Sequence, residues 1–148
     1  MTIERPNDAD YERLLAFRTA LRQFLHWSAE QAAAVGLTPQ QHQLLLAIRG
    51  HPGPEQPTVG DVADHLLLRH HSAVELVDRA EHVGLVERLV DADDRRVVRL
   101  ALTSTGRRLL ERLSQAHLEE LARLTPVVQR LAVSDLATSV EGHVRAHP

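Results

Sequence analysis

A chain of 148 residues with 17 Lys or Arg, 20 Asp or Glu and no cysteine is long enough to bury a core without a covalent staple. The missing thiols exclude disulfides, thiolate metal sites and cysteine-based peroxide sensing. A net charge of −3 argues at first against nucleic acid, but within residues 95–112 six arginines face a single acid, Glu111.

All basic residues are arginine. Genomic base composition accounts for that usage, and the guanidinium also suits bidentate phosphate contact. The opening MTIERPNDAD is charged and unlike a signal peptide, and no segment is apolar enough to span a membrane. The expected compartment is the cytoplasm.

Residues 1–9 read as a loose arm. Residues 11–34 read as a long helix with Leu14, Phe17, Leu21, Phe24 and Ser28 on one stripe, widened by Leu25 and Ala32. Such a stripe needs a partner helix. Gly36 ends it. Thr38-Pro39-Gln40-Gln41 then has the form of a helix start, followed by Leu44, Leu45, Ala47 and Ile48. A turn-rich loop, His51-Pro-Gly-Pro-Glu-Gln-Pro57, leads onward.

The most informative stretch is 58–103. Thr58 with Asp61 forms a capping-box pattern ahead of Val59, Val62, Ala63 and Leu66, a short helix running into Leu67-Leu68-Arg69. A second helix is expected over 70–83, with Ala73, Val74, Val77 and Ala80 inward and Gly84 at its end. Its outward face carries His71, Ser72, Glu75, Arg79 and His82, polar ends on a rod that fits a major groove. Two alternating strands follow, Val86-Arg88-Val90 and Val98-Leu100-Leu102. Their tip, Ala92-Asp93-Asp94-Arg95-Arg96, can reach phosphates or a narrow minor groove.

From Ser104 a helix carries Leu109, Leu110, Leu113, His117, Leu118 and Leu121. Thr125-Pro126 is expected to kink or restart it. Ser134 is expected to cap a last helix with Leu136, Val140 and Val144. The fold class is mainly α with a small β-hairpin wing: a winged helix-turn-helix at 37–103 between an N-terminal dimerisation helix at 1–36 and C-terminal dimerisation helices at 104–148. Long helices without a core of their own bury their stripes most simply in a homodimer.

This order of motifs resembles the MarR family of bacterial transcription regulators. Leu76-Val77-Asp78-Arg79, Gly84-Leu85-Val86 with Arg88, Asp94-Arg95-Arg96, Leu102-Thr103 with Gly106, and Leu37-Thr38-Pro39 upstream carry the resemblance over roughly residues 10–147. It implies a homodimer on double-stranded DNA, usually a repressor, often released by a small aromatic or phenolic ligand. The DNA-binding set is then Arg69, His70, His71, Ser72, Glu75, Arg79, Asp94, Arg95 and Arg96, with Asp94 holding Arg95. The ligand pocket of the family implies His26, Trp27 and His42 as lining, against the plainer reading of Trp27 as dimer core. One departure concerns the groove face, which opens with His70-His71-Ser72 and has Glu75 where a donor is common. A carboxylate accepts from cytosine and cannot donate to guanine.

Three other readings compete. Ten histidines suggest a metal-responsive regulator, but no tight ligand spacing is present and no metal or cofactor is expected. An enzyme would need a phosphate loop or nucleophile elbow, and neither is found; Asp93 and Asp94 are better read as turn residues. A helical dimeric interaction protein without DNA binding has no use for a basic hairpin.

Overall fold

A computed structural model describes residues 5–141 of the chain, with side chains up to Leu131. Five helices and one hairpin follow in order: α1 (Asp8–Ala34), α2 (Pro39–Arg49), α3 (Val59–Leu66), α4 (His70–His82), β1 (Val86–Val90), β2 (Val98–Leu102) and α5 (Ser104–Glu141). They pack as two compact units. One comprises residues 28–115; the other comprises the described residues up to Trp27 together with those from Ala116 onward. The unit at 28–115 holds the hairpin and is the winged unit. Ala32 at the end of α1, and Leu110 and Leu113 of α5, belong to its core.

The starts of the elements follow from local hydrogen bonding. α1 begins three residues earlier than its apolar stripe suggests. Asn7 Oδ1 accepts the Asp10 N–H (3.1 Å) and Asp10 Oδ2 accepts the Asn7 N–H (2.8 Å), a reciprocal cap. Thr38 with Gln41 and Thr58 with Asp61 form capping boxes as their spacing indicates. The Asp61 carboxyl is held below its usual pKa, first by the Thr58 backbone N–H. α3 is shorter than expected: it stops at Leu66, and Leu67 turns left-handed.

The winged core is built from Leu44, Leu45 and Ile48 of α2, Val62 of α3, Leu76, Val77 and Ala80 of α4, and Leu85, Val86, Leu100 and Leu102 of the hairpin. α4 buries Leu76 rather than Val74, which is only half-buried. β1 and β2 pair antiparallel from Val86↔Leu102 to Val90↔Val98. The loop at 51–57 runs along the free side of β2, where the Pro57 carbonyl accepts the Leu100 N–H at 2.8 Å.

Where the hairpin hands over to α5, the chain is unusually close. The Thr103 hydroxyl donates to the Gly84 carbonyl (2.6 Å) and accepts the Gly106 N–H (3.1 Å). A Cβ at Gly106 would stand 2.1 Å from the Leu85 carbonyl oxygen. In the other unit, Leu14, Phe17, Leu21 and Leu25 of α1 and Leu118, Leu121 and Val128 of α5 are exposed.

α5 corrects one expectation. It continues through Pro126 and past Ser134 as one helix, so neither a restart at Pro126 nor a fresh cap at Ser134 occurs. Pro126 removes one N–H, but its partner would be the carbonyl of Ala122, and both residues are exposed, where solvent takes the bond. The side chains of Leu136 and Val140, and all of Val144, lie outside the described residues. Among the described residues no helix is long and apolar enough to cross a membrane.

Gly106→Ala separates packing from propensity. In an open helix the change stabilises by up to about 1 kcal/mol. Here the backbone carbonyl blocks the methyl group, and a destabilisation of about 1–3 kcal/mol is expected from urea unfolding. A more stable variant would mean that α5 does not approach Leu85 this closely.

Candidate nucleic-acid interface

α4 is presented by a turn that the residue types do not announce. Leu67 adopts φ 55, ψ 40 and is 92% exposed. A left-handed conformation costs a non-glycine residue about 1–2 kcal/mol. The turn is closed by the Leu68 N–H on the Ala63 carbonyl at 2.9 Å. Arg69 then stands at the N-cap of α4 and provides no side-chain hydrogen bond. The first N–H groups of α4 are thus left without a side-chain cap at the positive end of the helix dipole, an arrangement that suits a phosphate oxygen.

Burial of Ala73, Leu76, Val77 and Ala80 against the core fixes which side of α4 faces out. Arg69, His70, His71, Glu75, Arg79 and His82 are exposed, and Ser72 is half-buried beside them. None of these side chains has a hydrogen bond or ion pair among the described residues. They are available to an external partner. Arg88 serves the opposite purpose: its guanidinium reaches from β1 to Asp78 (2.6 Å) and Glu81 (2.8 Å) on α4. Burial works against its charge, but the two carboxylates outweigh that and raise its pKa. The strand and the helix are pinned together by this pair.

Asp91 organises the tip of the hairpin. One of its oxygens accepts the N–H groups of Asp93 (2.8 Å) and Asp94 (3.0 Å); the other accepts Arg99 Nε at 2.6 Å. Arg99 also donates to the Gln56 carbonyl (2.9 Å) and pairs with Glu55 at 2.7 Å, tying the hairpin to the loop at 51–57. The Arg99 hydrogen bond, followed by the Asp94 and Asp93 N–H groups, takes the Asp91 carboxyl down to about 2. Asp94 does not hold Arg95, as the sequence suggested. Both its oxygens face Arg96, with Nε and Nη2 at 3.1 Å. An i,i+2 pair closes within the turn, whereas Arg95 points away and makes no hydrogen bond or ion pair among the described residues.

Asp91, Arg99 and Arg88 are the positioning residues that sequence reasoning missed. Asp91-Ala92-Asp93-Asp94 is an Asx-turn pattern and was open to that reading. Arg99 on Asp91 requires the strand register and was not.

The expected ligand residues fall in both units. His26 and Trp27 belong to the helical unit, where the Trp27 ring lies 4.8 Å from His117 and 6.0 Å from Phe24. His26 is exposed, while His42 is 7% exposed inside the winged unit. Among the described residues no three His, Asp or Glu side chains converge as a metal site.

The Asp91 shift sets a pH window. A lowered folded pKa contributes stability that is present above the ordinary carboxylate value near 3.8 and is lost as pH falls through about 2. The amide signals of Asp93 and Asp94 are expected to titrate with a midpoint near 2, and to lose that transition in Asp91→Asn. A midpoint near 4 would mean that Arg99 does not hold Asp91.

The description "MarR family" matches residues 35–97. BadR of Rhodopseudomonas palustris, named a transcriptional activatory protein, is 33% identical over 115 residues. That match covers 74% of this chain and 66% of BadR, just under two thirds of its length. Among solved structures, a MarR family transcription regulator superposes with a TM-score of 0.70 at 20% identity, over 93% of this chain and 95% of that one. A Staphylococcus aureus MepR–DNA complex does so at 0.62 and 20% identity, over 84% of this chain and 94% of that one. At such identities the two structures speak for the fold alone. The family match over residues 35–97 and the BadR similarity make this chain similar to the MarR family of transcription regulators, and the two solved structures share its winged fold.

Proposed function

We propose that the chain acts as a homodimer that reads an inverted-repeat operator in double-stranded DNA, with α4 in the major groove and the hairpin tip on the flanking backbone. The observation that carries this reading is the coincidence of two features on one pinned frame. The polar face of α4 has no internal partners among the described residues, and neither has Arg95 at a tip where Arg96 is paired with Asp94 and Arg99 with Asp91. MepR, which shares the fold, has been crystallised with DNA.

Dimerisation is proposed from the exposed stripes. Leu14 is 60% and Leu25 59% exposed in the single chain, with Phe17 and Leu21 between them. Burying a side chain of this kind contributes about 1.5–3 kcal/mol. Light scattering is expected to give twice the mass of one chain. A monomer at micromolar concentration would remove the basis for a two-fold operator.

For the sign of regulation we propose repression by occupation of an operator that overlaps its promoter. BadR is named an activatory protein, and an operator upstream of the promoter would give this chain that sign instead. Release is proposed through a small aromatic or phenolic ligand near Trp27, whose ring cluster with Phe24 and His117 offers stacking surfaces. Bound DNA would then weaken the ligand by the same factor as the ligand weakens DNA.

The direct test selects duplexes from a random pool. Half-sites about one helical turn apart are expected. Arg95→Ala should weaken all sequences alike and lower the salt slope by about one. Glu75→Gln and His71→Ala should alter base preference by about 1–3 kcal/mol at particular positions. Base preferences unchanged in both α4 variants would overturn the assignment of the reading face.

A further inference from the structure

The C-terminal end of α2, the loop at 51–57, the base of β2 and the first turn of α5 surround a cleft of about 410 Å³ within the winged unit. That volume lies within the range of small-molecule sites. None of the residues assigned above to DNA or to the aromatic ligand lines it.

Its walls are charged and its floor is small. Arg49 comes from α2 and Arg107 from α5, over an apolar patch formed by Ile48 and Leu102. Both arginines are exposed, and among the described residues neither guanidinium has a hydrogen bond or ion pair. The one acid in the wall, Glu55, is engaged by Arg99 at 2.7 Å. His51 is turned toward α3. Its Nδ1 lies 2.9 Å from His65 Nε2, and its Nε2 faces Asp61 at 3.9 Å. The cleft therefore holds two uncompensated cations on separate elements.

We propose that this cleft binds a small metabolite carrying a phosphate ester or diphosphate. A phosphoryl group has enough oxygens to accept from two guanidinium forks at once, which a single carboxylate does less well. The mostly polar lining is a poor fit for a flat aromatic acid. The phosphates of DNA are a second source of the same chemistry, but the position speaks against them. Ala101 and Leu102 are the far end of β2 from the tip, roughly 10–15 Å away at about 3.3 Å per residue.

Occupancy would also reach the wing. The same loop holds β2 through the Pro57 carbonyl and holds Arg99 through Glu55 and the Gln56 carbonyl. An anion beside Arg49 and Arg107 repels Glu55 and loosens its grip on Arg99. This consequence rests on the DNA-binding reading; the binding itself does not.

Pyrophosphate, titrated into the full-length protein at constant ionic strength with NaCl as control, tests the proposal without DNA. Amide shifts are expected to saturate at one site, concentrated in residues 53–56 and 101–107. Arg49→Gln and Arg107→Gln, both at exposed positions, should each weaken binding at least tenfold at unchanged melting temperature. Glu55→Gln should tighten it. Three results would overturn the proposal: no saturation, equal affinity in both arginine variants, or shifts confined to the start of α4 and the hairpin tip, where pyrophosphate would be mimicking a DNA backbone.

Discussion

The first turn of α5 lies against the Leu85 carbonyl with room for a hydrogen at position 106 and nothing larger. Thr103 joins the same point from the end of β2, donating to Gly84 and capping Gly106. The end of α4, the start of β1, the end of β2 and the start of α5 therefore share one backbone junction. Interiors are close-packed and transmit displacement rather than absorb it. A shift at this junction would move the reading helix and the wing together. The Arg88 bridge from β1 to Asp78 and Glu81 extends the same frame along the outer side of α4.

Charge is divided by role within that frame. The chain is net acidic, yet its arginines are not interchangeable. Arg88 and Arg99 are committed to carboxylates and to a backbone carbonyl, and their work is positional. Arg96 is closed onto Asp94 within the turn. Arg95, Arg69 and Arg79 are left with no internal partner, on the tip and along the outer face of α4. Arg49 and Arg107 are left at the separate cleft. Wherever a guanidinium lacks an acid here, an external anion is the natural complement.

Much of this was readable in advance where chemistry is local. The Thr58–Asp61 and Thr38–Gln41 boxes, the end of α4 near Gly84 and both strands come from spacing and turn residues alone. The outer face of α4 follows from its period, although one of the four inward residues was misjudged, Val74 standing where Leu76 is buried. Leu67 was not readable, because a leucine in a left-handed turn contradicts its own preference and is held by its neighbours. Nor was the continuity of α5 through Pro126, since the cost of a proline depends on whether the freed carbonyl meets solvent. The Asp91–Arg99 contact and the cleft both depend on which residues the register brings together, information that no window along the chain contains.

Hydrogen exchange with and without a selected operator duplex tests the DNA face most directly. The expected result is protection concentrated at 69–83 and 91–97, with the loop at 51–57 and the first turn of α5 unchanged. Protection confined to other surfaces, with α4 exchanging as in the free protein, would contradict the account.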